Sequence, residues 1–144
     1  MPNWCLNEVR ISFDDEETRK EFEKAVEGTR KEAVPTGPDE DPIVQDTHCV
    51  FVFNKILPMP GSLDDEDFDW YNWRTSNWGV KWEPDIIHYD VDLDGTEIYM
   101  EMYTPWGPPE GIYNKLCEDW EDKGVYINWF YREDGMQFAG WLPY

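Results

Sequence analysis

Between Ile86 and Met102 the chain keeps strict period two on both sides of a single Asp-Gly pair. Ile87, Tyr89, Val91 and Leu93 alternate with His88, Asp90 and Asp92; beyond Asp94-Gly95, Ile98, Met100 and Met102 alternate with Glu97, Tyr99 and Glu101. Such alternation marks strands with one buried face. A two-residue Asp-Gly turn pairs Leu93 with Thr96, Val91 with Ile98, Tyr89 with Met100 and Ile87 with Met102. In that register every apolar side chain lies on one face, and a slip of one residue would turn them all outward. The hairpin therefore constrains the rest of the fold.

The same stretch, Asp90 to Glu101, also fits the calcium-loop pattern, with Asp90, Asp92, Asp94, Gly95 and Glu101 at the required positions. A calcium loop of that kind needs a helix on either side to aim its ligands. Here both flanks have the period of strands, and a hairpin turn already accounts for Gly95 through its need for positive φ. The residues are read as a hairpin. The face of His88, Asp90, Asp92, Glu97 and Glu101 is read as a solvated acidic surface, with weak cation binding as the open alternative.

Trp4 to Phe13 predicts a strand with Cys5, Val9, Ile11 and Phe13 on one face. Asp14 or Asp15 caps a helix whose apolar stripe is Phe22, Ala25 and Val26, ending at Glu27-Gly28. Residues 28–46, with Pro35, Gly37, Pro38 and Pro42, read as a loop insertion, and Thr47 to Phe53 as a central strand. A second insertion spans about 58–82. After the hairpin, Ile112, Leu116 and Trp120 stripe a helix that stops at Lys123-Gly124. Val125 to Arg132 and Met136 to Trp141 form a second hairpin around Asp134-Gly135. The order contains β-α-β-β-α-β. The expected fold class is α+β: one ferredoxin-like domain over residues 1–144, an antiparallel sheet with two helices on one face and an additional C-terminal strand.

Charge limits the function classes. There are 32 Asp and Glu against 12 Lys and Arg, a net of −20. Direct binding to nucleic-acid phosphates or to anionic membranes is disfavoured, and docking on a basic partner is permitted. Nine Trp, eight Tyr and seven Phe distinguish the chain from a disordered acidic tail. Cys5, Cys49 and Cys117 are odd in number and widely spaced, as expected of reduced thiols in a cytoplasmic protein. The N-terminal residues lack the pattern of a secretory signal, and no apolar run reaches membrane-spanning length.

The stretches "MPNWCLN", "FNKILPMP", "WYNWRTSNWGVKW", "TPWGPP" and "YREDGMQFAG" are similar to those of the YubB-like ferredoxin-like domain family of phage and plasmid proteins. The matching residues are Pro2, Asn3, Trp4, Cys5 and Asn7; Pro58, Met59 and Pro60; Trp70, Tyr71, Trp73, Asn77, Trp78, Gly79, Lys81 and Trp82; and Pro108 and Pro109. They span nearly the whole chain. The strong acidity, the acidic insert Asp64 to Asp69 and the Pro-rich loop 35–42 depart from the family pattern. The resemblance implies a ferredoxin-like fold and an origin in a mobile element. It implies no iron–sulfur cluster and no established chemistry, so function has to be argued from a site.

No catalytic constellation, metal ligand set or cofactor motif presents itself. His48 and Cys49 are adjacent on a predicted strand and so point to opposite faces; Cys49 reads as a small buried hydrophobe and His88 as a surface histidine. The Trp-rich block has two readings. In one its rings form a local core, with Asn77 bonding a loop backbone. In the other Trp73, Arg74, Asn77, Trp78 and Lys81 bound a ligand cleft for a base or sugar, Arg74 and Lys81 at the rim.

The leading expectation is a non-catalytic accessory protein of a phage or other mobile element. It would bind a host defence protein through its acidic surface, as a mimic of nucleic acid, which carries about one negative charge per 1.7 Å of duplex. The expected contact residues are Asp64, Asp65, Glu66, Asp67 and Asp69 on the exposed insert. The rivals are a small-ligand module or enzyme using the Trp-rich cleft, and an assembly protein of a virion.

Overall fold

A computed structural model describes residues 3–34 and 43–144. Residues 1–2 and the Pro-rich stretch 35–42, including Pro2 and Asp39 to Asp41, lie outside the described residues.

The chain runs β1 (Trp4–Phe13), α1 (Glu16–Val26), β2 (Gly28–Val34), β3 (Ile43–Cys49), α2 (Phe53–Ile56), α3 (Trp70–Asn77), β4 (Asp85–Val91), β5 (Glu97–Pro105), α4 (Glu110–Trp120), β6 (Val125–Glu133) and β7 (Phe138–Leu142). Five strands form one sheet in the order β4-β5-β1-β6-β7, each antiparallel to its neighbours. β1 and β4 are thus parallel, with β5 between them. The fold is α+β, as the residue pattern predicts.

β1 forms because its odd residues can be buried together. Cys5, Asn7, Val9, Ile11 and Phe13 all face inward, against Phe22 and Val26 of α1 and Ile112 and Leu116 of α4. All helices pack on this side of the sheet. Asp15 caps α1 through its carboxylate, which accepts from Thr18 N at 2.8 Å. After α4, one 3₁₀ turn (Glu121–Lys123) ends at Gly124 in the left-handed conformation, φ 76°. That position favours glycine, as Lys123-Gly124 predicts.

Asn7 is the buried polar group of β1, and it is satisfied. Its Nδ2 donates to Thr104 Oγ1 at 2.9 Å, and its Oδ1 accepts from Trp129 Nε1 at 2.9 Å. Three strands, β1, β5 and β6, are locked in register by this network.

Four expectations need correction. Residues 28–46 are not all loop: β2 pairs with β3 from Gly28↔Cys49 to Val34↔Ile43 as a separate two-stranded ribbon. Gly28–Val34 shows no apolar alternation because the ribbon pairs strand to strand outside the main sheet. Thr47 to Phe53 is not a central strand. β3 ends at Cys49, and Phe51, Val52 and Phe53 turn inward to begin α2, all three buried. A short apolar run has no period to separate strand from buried turn. Cys49 is half-buried rather than buried.

The fourth correction concerns the first hairpin. Val91↔Ile98 and Tyr89↔Met100 hold, but a bulge places Ile86, not Ile87, opposite Met102. Ile87 is turned out, Val91 is exposed, and Leu93 stands wholly in solvent. β4 is an edge strand, so half of its apolar set has nothing to pack against. The turn spans residues 93–96 rather than two residues: Asp92 N donates to Glu97 O at 3.0 Å, and Gly95 has φ 73°.

Candidate functional site

Three regions carry the functional expectations: the calcium-like hairpin turn, the Trp-rich block with the acidic insert, and the outer face of the sheet.

The hairpin turn has its carboxylates committed locally. Asp92 Oδ1 accepts from Thr96 N at 2.9 Å and Glu97 N at 3.1 Å. Asp90 Oδ2 meets His88 Nε2 at 2.7 Å, and Glu101 Oε1 accepts from Tyr99 Oη at 2.7 Å. Arg19 of α1 holds the turn from below: its Nε donates to Gly95 O at 2.7 Å, and its other nitrogens pair with Glu16 and Glu23. The flanks are β4 and β5, so the hairpin reading holds.

In the Trp-rich block the two readings divide the residues between them. Trp78 is core: it is fully buried, and its Nε1 donates to Leu57 O at 2.9 Å. Trp73 packs half-buried against the same core, 6.1 Å from Trp78 between ring centroids. Asn77 bonds no loop; its Nδ2 donates back to Trp73 O within α3 at 2.8 Å. Arg74 is not at a rim. It is buried between the Trp70 and Trp78 rings, donating to Met59 Sδ at 3.3 Å and Lys81 O at 3.1 Å. Burial pulls its pKa below the ordinary guanidinium value, with Glu83 opposing. Lys81 lies over the Trp82 ring at 4.4 Å.

An open cleft of about 990 Å³ does exist beside the block, but other rings form it: Trp4, Trp70 and Trp82, with Arg74, Arg30 and Glu83 among its walls. Trp4 of β1 and Trp82 stand 5.9 Å apart. Glu83 has a structural duty here. Its carboxylate accepts from Phe53 N at 2.6 Å and Asn54 N at 3.0 Å, capping α2, which has no side-chain cap of its own. Burial raises its pKa, and those two N–H bonds oppose the rise. Of the predicted cleft residues, Arg74 alone lines it.

Asp64, Asp65, Glu66, Asp67 and Asp69 are all exposed. Two also organise the chain: Asp65 Oδ1 accepts from Asp67 N at 3.0 Å, and Asp69 caps α3 through Asn72 N at 3.1 Å.

Of the third region, only the polar face of the first hairpin, with His88, Asp90, Glu97 and Glu101, is singled out from sequence. Among the described residues, no helix covers the outer side of the sheet, and the strand registers lay out its surface in rows. One row is Asp85, Tyr103, Leu6 and Arg132; the next is His88, Glu101, Glu8, Phe130 and Trp141; the next is Asp90, Tyr99, Arg10 and Asn128. Rings and carboxylates alternate along β5, and Phe130 packs on Trp141 at 4.8 Å. Tyr99 is pushed up to about 12, first by its bond to Glu101 and then by burial and the charges of Glu101 and Glu8. The polar face of the first hairpin was legible, but its apposition to Glu8 depends on β1 pairing β5 across some ninety residues, which no local pattern encodes.

The cations give little relief to this charge. Arg10 pairs with Glu97, Lys20 with Glu16, Lys115 with Asp119 and Arg132 with Asp134, while Arg74 is buried. Two of the thiols are held neutral: burial pushes Cys5 up to about 12 and raises Cys117. Among the described residues, no helix is long and apolar enough to cross a membrane, and no three His, Cys, Asp or Glu side chains group as a metal site.

No family model, curated protein or solved structure matches the chain. The resemblance to the YubB-like family therefore rests on the sequence motifs alone.

Proposed function

We propose that this chain is a non-catalytic binding protein whose acidic surface docks on a basic, nucleic-acid-binding face of a partner and occludes it. The observation that carries this reading is the excess of 32 acidic over 12 basic residues, a net of −20, with Arg10, Lys20, Lys115 and Arg132 held against carboxylates of the chain itself and Arg74 buried. Such a field speeds encounter with a basic surface and resembles that of a polyanion. The sheet is read as ferredoxin-like with one further strand. The order β4-β5-β1-β6, with α1 and α4 on the connections from β1 towards β4 and from β5 to β6, supports that topology. The motif resemblance supports origin in a phage or plasmid and a host defence protein as target.

Capture of host proteins on the immobilised chain, with salt and duplex DNA as competitors, tests the reading. A basic nucleic-acid-binding protein should be retained at low salt and released by either competitor. Replacing Asp64, Asp65, Asp67 and Asp69 with Asn and Glu66 with Gln should weaken capture, and Asn at 69 preserves the α3 cap. Retention indifferent to DNA and to these substitutions would contradict it.

The cleft supports a second reading, a small-ligand module. Its walls of Trp4, Trp70 and Trp82 suit a planar ring. Saturable quenching of tryptophan fluorescence by nucleotides or sugars, lost in Trp82→Ala, would favour it; no quenching across those ligands would remove it.

A further inference from the structure

Glu8 and Glu101 stand directly opposite each other on β1 and β5, adjacent strands inside the five-stranded sheet. Like charges in directly opposed positions destabilise a sheet. Neither is neutralised. The Glu8 carboxylate has no hydrogen bond or ion pair among the described residues, and Glu101 receives one neutral donor, the Tyr99 hydroxyl. His88, the neighbour of Glu101 on β4, is turned to Asp90. Both residues are only partly exposed, and the closer such charges lie to the protein, the less water screens them.

The surroundings specify which cation would relieve it. Tyr99 and Tyr103 flank Glu101 along β5, and Phe130 is the partner of Glu8 on β6. Arg10, one row away, shows how a guanidinium sits on this surface: it lies 4.6 Å from the Tyr99 ring centroid and reaches Glu97 at 3.4 Å. A planar guanidinium can fork to a carboxylate and stack on a ring together, whereas an ammonium is a compact, strongly hydrated point charge. The face is broad and pleated, and its rows repeat every second residue, which suits an extended segment.

We propose that the uncovered face of the sheet, centred on Glu8 and Glu101, is the docking surface for an extended, arginine-bearing segment of a partner protein. One guanidinium sits between the two carboxylates with a tyrosine or Phe130 ring beside it. The proposal rests on the basic-partner reading above and adds a place and a side chain to it.

The full chain is titrated, at near-physiological salt, with a labelled arginine–serine repeat peptide and its lysine–serine counterpart, and anisotropy is followed. The arginine peptide should bind about tenfold more tightly, as expected where bidentate and stacking contacts distinguish the two cations. The double variant Glu8→Gln/Glu101→Gln should weaken the arginine peptide roughly tenfold and erase the preference. Neutralising the 64–69 insert should leave the preference in place. An unchanged melting temperature, or a higher one, shows that the double variant folds. Equal, salt-sensitive binding of both peptides, indifferent to Glu8 and Glu101, would overturn this site while leaving the basic-partner reading intact. Binding of neither peptide would overturn both. Magnesium or calcium binding that depends on the two glutamates, without any arginine preference, would assign the pair to a metal and overturn the docking proposal.

Discussion

The two sides of β1 obey different rules. Inward, Cys5, Val9, Ile11 and Phe13 are buried, and the polar exception, Asn7, has both ends of its amide matched by Thr104 and Trp129. Outward, the same strand sets Glu8 against Glu101 and leaves Trp4 exposed at the mouth of a cleft. One backbone thus carries a side tuned for stability and a side that tolerates repulsion. Local choices that disagree with the stability of a fold tend to mark functional positions. The inner face explains how the chain folds, and the outer face is where a partner is to be sought.

The comparison can be broken most forcefully from the inside. Trp78→Ala should lower unfolding free energy by about 3–5 kcal/mol, because it opens a large cavity and strands the Leu57 carbonyl. Urea denaturation gives the value; a loss of under about 0.5 kcal/mol, the range of ordinary surface changes, would deny Trp78 its place in the core. Asn7→Leu should cost about 1–3 kcal/mol by leaving the Trp129 indole N–H buried without an acceptor. A neutral result would mean that the network does not hold β1, β5 and β6 together.

Alkaline titration sharpens the contrast without mutation. Tyr99, on the outer face, is held up to about 12 chiefly by its bond to Glu101; Tyr113, in the core, is held up to about 12 chiefly by burial. Tyr89 is raised as well, by burial first and then by its bond to Glu23. A raised phenol favours the folded state below its unfolded value of 10.0, and that contribution is lost as pH climbs through the folded value. Stability should therefore fall between about pH 10 and 12. Tyrosinate absorbance from Tyr99 and Tyr113 should appear well above the ordinary phenol value. A single wave at the ordinary value would contradict both environments.

Smaller effects are expected at the helix ends. Asp69→Ala should cost about 1 kcal/mol through loss of the α3 cap, and Asp69→Asn only a few tenths. Chemical denaturation of the pair separates the capping duty of Asp69 from its charge.

Much of the scaffold could be read from the residues because its signals are local. β1 coincides with its predicted bounds, Asp15 caps α1, and Gly95 and Gly124 take positive φ where turn and helix end require it. What could not be read is non-local. β2 and β3 lack alternation because they pair with each other rather than over a core. Phe51 to Phe53 turn into the core because α2 starts there, capped by Glu83 from thirty residues away. The insert 64–69 was legible as acidic and exposed, but not the duties of Asp65 and Asp69 within it. Trp73 and Trp78, read either as core or as cleft, belong to the core and do not line the cleft; rings alone do not tell the two apart. The cleft takes its third ring, Trp4, from the other end of the chain. The apposition of Glu8 and Glu101 follows from a strand pairing that no short-range pattern announces.

The most direct test joins stability and binding in one protein. Glu8→Gln/Glu101→Gln removes the repulsion between β1 and β5, so its melting temperature should equal or exceed that of the parent chain while its hold on an arginine-bearing peptide weakens. A double variant that melts lower and binds as well as before would show that the two glutamates serve the fold, and that the outer face of the sheet is not where this protein meets its partner.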